Sequence, residues 1–188
     1  MWIRAIALLL TLSAPPAFAE LLTPGDLRED RSPGLEQLFI DLRSPDREVW
    51  RLAEEALINR FNRSGSAAMD LLLKRGQALL EAGDYPAAVW HLSTLIDHAP
   101  NFAEGYNARA TAYYLMGEYG LALQDLRATL ALNPRHFGAM SGLGIVLSEL
   151  GYNDQALSAL RAAQIIHPNM QNVNENIEQL LQNRDMSL

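Results

Sequence analysis

Three prolines stand 34 residues apart, at Pro100, Pro134 and Pro168, and the residues before each follow one order of types. Counting back, Gly76, Ala110 and Gly144 fall in register as small residues. Gly83, Gly117 and Gly151 do the same, followed by Ala88, Ala122 and Ala156. Leu92, Leu126 and Leu160 share the next position, and Leu95, Thr129 and Ala163 the one after. Three gapless copies constrain this chain more than any local propensity. A fixed period of this length means supersecondary units stacked so that each shares its core with its neighbours.

Within one copy the pattern specifies two helices. Leu72, Gly76, Leu79 and Leu80 recur at helical spacing and give a first helix with one apolar stripe. Gly83 ends it, because a residue without a Cβ tolerates the left-handed turn after a helix. Asp84 is placed to cap the second helix, with Pro86 tolerated in its first turn. Small Gly76 and Ala88 belong where the two helices cross, and Pro100 stops the second helix. One such pair cannot bury its own apolar face, so function falls to the surface that the stack presents.

The period and its small-residue positions resemble the tetratricopeptide repeat, over residues 69–168. The resemblance implies an all-α fold, a right-handed α-solenoid of helix–turn–helix units at 69–102, 103–136 and 137–168. In that family the first helices of successive units line a concave groove, where partners lie as peptides or helices. The family's groove positions fall here on Leu73, Gln77 and Leu80, then on Glu104, Asn107, Thr111 and Tyr114. In the third unit they fall on Gly138, Ser141, Ile145 and Ser148. Asn107, Gln77 and Thr111 suit the backbone of an extended segment, and Tyr114 and Ile145 suit an apolar side chain. Gly138 and Ser141 leave room for close approach. Tyr113 is expected on the core side and Tyr114 on the groove side.

Family members that clamp the C-terminal carboxylate of chaperones carry lysine, asparagine and arginine at set groove positions. Here those positions hold Leu73, Gln77, Thr111, Gly138 and Gly142, so the cationic clamp is missing. Lys74, Arg75 and Arg109 lie beside the expected lining. A carboxylate-capturing adaptor is disfavoured on this ground.

The flanks read differently. Arg4, the apolar run Ala5 to Leu12 and Ala17-Phe18-Ala19 form the pattern of a signal peptide over 1–19, with cleavage expected after Ala19. The apolar run is too short for a permanent membrane span. The chain has no cysteine to accept a lipid or form a disulfide, so the mature protein is expected to be soluble and periplasmic. Residues 20–34 have the composition of a flexible charged leader. Leu35, Leu38, Phe39 and Leu42 open a helical hairpin over 35–66, expected as a degenerate repeat or an N-terminal cap. Ser44-Pro45 is expected to start its second helix, whose stripe includes Val49, Leu52, Ala53, Ala56, Leu57 and Phe61. Val173, Ile177, Leu180 and Leu181 mark a closing helix over 169–183, and 184–188 are expected to fray.

Catalytic patterns are weak. His91, His98, His136 and His167 form no i, i+4 pair of the kind a metalloprotease helix needs. His98 and His167 fall at the ends of second helices, where a cation complements the helix dipole. Glu54 and Glu55 are adjacent and point to different sides of a helix, so they are no acid–base pair. Around Ser141, Ala139 and Leu143 stand where a nucleophile elbow needs glycine. A formal charge of −7 argues against sequence-independent nucleic-acid binding.

The expectation is a non-enzymatic protein-interaction adaptor or scaffold of the periplasm, with no cofactor or metal and with a protein or peptide partner. Two other readings of the same surface stand beside it. One is an assembly factor for an envelope machine such as cytochrome c maturation. The other is a self-associating structural module.

Overall fold

A computed structural model describes residues 34–186. The signal peptide expected at 1–19, nearly all of the leader expected at 20–34, and residues 187–188 lie outside the described residues. Nine helices and no strand occur among the described residues: α1 (Leu35–Asp41), α2 (Arg47–Phe61), α3 (Ala67–Glu81), α4 (Tyr85–His98), α5 (Ala103–Leu115), α6 (Tyr119–Leu132), α7 (Phe137–Glu149), α8 (Asn153–Ile166) and α9 (Gln171–Met186). None of these helices is long and apolar enough to cross a membrane. The architecture is an all-α helical-repeat solenoid, in which α3–α4, α5–α6 and α7–α8 are the successive pairs.

Each pair turns in the same way. Gly83, Gly117 and Gly151 have φ of +77°, +77° and +80°, a region that costs a side chain but not glycine. After α3 the Gly83 N–H donates to the Leu80 carbonyl and the Asp84 N–H to Leu79. These two bonds satisfy carbonyls that the helix end would otherwise leave open. Glu118 to Tyr113 and Tyr152 to Leu147 repeat the longer bond. The small residues do what their register suggests. A Cβ on Gly76 would come within 2.5 Å of Leu92, and one on Gly144 within 2.5 Å of Leu160, so these helices cross with side chain on backbone. Buried clusters follow the stack: Leu73, Leu92, Leu95 and Phe102, then Ala110, Leu126 and Val146, then Leu147, Leu160, Val173 and Ile177.

The hairpin departs from expectation. A cap of the repeat kind would stack α2 on α3, yet the apolar face of α1–α2 joins Phe137, Ile166 and Met170 of the third unit and its exit. Leu38, Phe39, Leu42, Ala53 and Leu57 are buried in this seam. The reason is at the link. The Ser64 N–H and Oγ both donate to Asp70 Oδ1, at 2.7 and 2.6 Å, and Gly65 takes φ +87°, which turns α2 back along the stack. The start of α2 also moves: Asp46, not Ser44, is the cap, and its carboxylate accepts from the Glu48 N–H at 2.8 Å. Ser44 Oγ instead accepts from the Asp46 N–H. At the other end α9 continues to Met186, past the expected end at 183 and into the tail expected to fray.

Candidate protein-binding groove

The first helices α5 and α7 lie side by side and enclose a recess of about 300 Å³. Asn107, Thr111 and Tyr114 reach it from α5, and Gly138, Ser141, Gly142 and Ile145 from α7. Each set recurs at three- or four-residue steps, which is one face of a helix. Ala110, Leu126, Val146 and Met170 form the apolar walls, and Asn172 on α9 stands at the rim. Burial pushes the Tyr114 phenol above its usual range, and the Glu149 carboxylate adds to that push. The Tyr114 and Tyr119 rings lie 5.8 Å apart and tilted, which fixes this wall.

Six of the positions taken from the family pattern therefore converge: Asn107, Thr111, Tyr114, Gly138, Ser141 and Ile145. The others do not line the recess. Leu73 is 1% exposed and belongs to the core under α3 and α4, a correction to its groove assignment. Its large side chain faces the repeat interior because Ala88 and Ala108 leave space there. Leu80 packs half-buried on the same cluster. Gln77 donates through Nε2 to Asn62 Oδ1, at 3.2 Å, at the end of the hairpin. Glu104 is buried between the Asn107 amide, at 3.0 Å, and the His136 ring, at 2.8 Å. Ser148 is half-buried and outside the recess.

The basic residues beside the lining are accounted for separately. Arg109 donates from Nε and Nη2 to both carboxylate oxygens of buried Asp125, at 2.8 and 2.9 Å, and from Nη1 to Ser93 Oγ. It ties α4, α5 and α6 together, and this two-pronged bond keeps its guanidinium charged. Lys74 and Arg75 are exposed on α3.

Sequence reasoning missed the seam that borders the recess. His136 caps α7, its Nδ1 accepting from the Ala139 N–H at 3.1 Å, and Phe61 stacks on its ring at 4.7 Å. Arg135 pairs with Glu36 at 2.7 Å and lies 4.0 Å over the Phe39 ring. Asn169 donates to the carbonyls of Leu42 and Ser44. His167 is 1% exposed, between Trp50 at 5.6 Å and Phe137 at 5.3 Å. Neither of its ring nitrogens is hydrogen-bonded among the described residues, although Glu54 lies 3.4 Å from Nε2. Burial holds its pKa below the usual 6.5 against the opposing pull of Glu54, so the ring is neutral and packs as an aromatic. The expectation of a cation on the α8 dipole is corrected accordingly. One signal was present in the sequence: His136 stands in register with Phe102 and Met170, a polar group at an apolar position.

Fold and recess define a helical-repeat scaffold, and the comparisons name its family. The tetratricopeptide repeat profile matches residues 73–131 and 107–170. A tetratricopeptide-repeat-containing protein of Rhizobium etli is 35% identical over 149 residues, covering 78% of this chain and 72% of that protein. The chain belongs to the tetratricopeptide repeat family. Tetratricopeptide repeat protein 36 of Danio rerio is 33% identical over 96 residues, 48% of this chain and 51% of that protein. Among solved structures, the first such domain of Spaghetti (RPAP3), bound to the HSP90 peptide SRMEEVD, superposes with TM-score 0.61 at 20% identity. It covers 62% of this chain and 93% of its own. The Yersinia enterocolitica type III secretion chaperone SycD, in complex with a peptide of the translocator YopD, gives 0.59 at 17%, covering 63% and 96%. At these identities the likeness to solved structures is one of fold.

Proposed function

We propose that this chain is a non-enzymatic adaptor, exported to the periplasm, that holds a peptide or helical segment of a partner protein between α5 and α7. The observation that carries the reading is the convergence of six groove positions on one recess with apolar walls and a polar rim. Recesses of this kind, with few polar groups set in apolar surface, are where proteins take ligands. Structural neighbours bound to short peptides support the same use of the scaffold. Export rests on the signal pattern at 1–19.

The test is a pull-down from periplasmic extract with the mature chain and with Thr111→Arg. Thr111 is exposed on α5, so the change fills the recess without touching the core. Retention by the wild type and loss by the variant supports the reading. Equal retention of one partner by both places binding elsewhere and contradicts it.

A further inference from the structure

We propose that the α1–α2 hairpin is an acid-released cover on the inner face of the repeats, swinging off about the end of α2 when His167 takes up a proton. The release does not depend on what the recess binds, and only its use by a partner rests on the groove reading. Three observations carry it.

The first is where the hairpin lies. Asn62, just past α2, holds Gln77 of α3, and Phe61 stacks on the His136 ring, which is bonded to Glu104 of α5. Gln77 and Glu104 stand at groove positions of the family pattern. Further along the hairpin, Phe39, Leu42 and Leu57 are buried with Phe137, and Ile166 and Met170 pack against them. Among the described residues, none that lines the recess comes from α1 or α2. The hairpin thus covers the inner face on either side of the recess and leaves the recess open.

The second is how it is held. Helices of one repeat cross with side chain on backbone, as Leu92 does on Gly76. Among the described residues, α1 and α2 pack closely only on each other and meet the repeats through long side chains. Ser64 is fastened to Asp70 at the start of α3, so movement at the end of α2 leaves α3 in place. Such an element can open without global unfolding.

The third is what it covers. His167 closes α8 at 1% exposure, its ring between Trp50 of α2 and Phe137 of α7. Neither ring nitrogen is hydrogen-bonded among the described residues. From α2 it is faced by the Glu54 carboxylate, 3.4 Å from Nε2, and Arg47 lines the same outer recess as Glu54. From α7, Phe137 is preceded by His136, whose nitrogens are taken by the Ala139 N–H and Glu104. The turn into α9 brings neutral Asn169 and Gln171, and α1 brings the exposed Glu36–Arg135 pair at the seam's edge. Glu54 and the end of the α8 dipole favour a proton on the ring. Burial between two aromatic rings opposes it more strongly. Released into water, the ring titrates at its ordinary value of about 6.5. Release therefore takes up a proton below that pH, and acid favours it. It bares Phe137, Ile166 and Met170 and frees Gln77, so the open surface grows on both sides of the recess.

The experiment follows amide hydrogen exchange of the purified protein from about pH 8 to about pH 5, each rate corrected for that of an unstructured peptide. Opening at Leu38, Ala53 and Leu57 should be constant down to about pH 6.5 and then rise up to about tenfold per pH unit. Amides of α5–α8 should stay flat. His167→Phe keeps an aromatic ring on Trp50 and Phe137 and should abolish the rise. Should that variant fail to fold, Glu54→Gln serves instead. Without the carboxylate the docked ring resists the proton further, so the rise should continue to lower pH, and an unaltered profile overturns the proposal. So does pH-independent opening of the hairpin, an equal rise in α5–α8, or a rise that persists in His167→Phe. No partner enters the measurement, so its failure leaves the groove reading standing.

Discussion

From α3 to α8 each helix pair meets the next through the same few positions, whereas α1–α2 meets the third unit through contacts that occur once. In the stack, Leu92 sits over Gly76 and Leu160 over Gly144, and the turns share one glycine geometry. At the seam, Phe61 lies on His136, Trp50 on His167, and Asn169 binds the carbonyls of Leu42 and Ser44. The stack is thus a sum of neighbour terms. The seam joins residues far apart in sequence, such as Glu36 and Arg135. It also shares Met170 with the recess, so the repeats form the groove and the seam borders it.

The largest effects separate these two regions. Leu160→Ala empties a fully buried site in the stack and should cost about 3–4 kcal/mol of global stability in denaturant unfolding. Leu57→Ala removes an equally buried side chain at the seam. It should raise hydrogen exchange in α1 and α2 while α5–α8 stay protected. If both substitutions lower protection everywhere alike, hairpin and stack are one cooperative unit and the comparison fails.

Gly144→Ala comes next. Alanine favours the helix, but its Cβ would meet Leu160 at 2.5 Å and the Ala156 carbonyl at 3.2 Å. The net expectation is a loss of about 1–2 kcal/mol in thermal or denaturant unfolding. A gain would mean that Leu160 shifts to make room, in register with Leu126, which shares a buried cluster with Ala110.

A smaller effect is pH-dependent and belongs to the seam. His167 is neutral in the fold, with its pKa below 6.5, so the unfolded chain binds the proton more readily. Its contribution is complete above about pH 6.5 and is lost as pH falls through the folded value. Acidic and charged groups facing it come from α2, chiefly Glu54. His167→Phe should flatten the fall of the melting temperature below pH 6.5, and an unchanged slope would assign it to other groups. The smallest effect is at the exposed Glu36–Arg135 pair, where Glu36→Gln should leave the melting midpoint essentially unchanged, as surface pairs do.

How much of this was legible follows from the same contrast. Pro100, Pro134 and Pro168, with the glycines before them, carry the pairs and their turns, because each copy restates the constraint. Asn107, Thr111, Tyr114, Ser141 and Ile145 were reachable because groove positions inherit the period. Leu73 was not, since the first unit has no repeat of its own kind before it and its inner positions turn toward the core. The seam is written in unrepeated residues: Phe61, Trp50 and Asn169 look like ordinary surface or stripe positions until the link folds back. Ser64 and Asp70, six apart, hold that reversal, and no periodic pattern marks them.

The most direct test of the account places a photo-crosslinking amino acid at Thr111 in the recess and, separately, at Arg127, exposed on α6 outside it. Irradiation in cells should join a partner to the Thr111 site and not to the Arg127 site. The attached segment should carry an apolar residue at the crosslink. The same partner joined equally from Arg127, or from Arg127 alone, would contradict binding between α5 and α7.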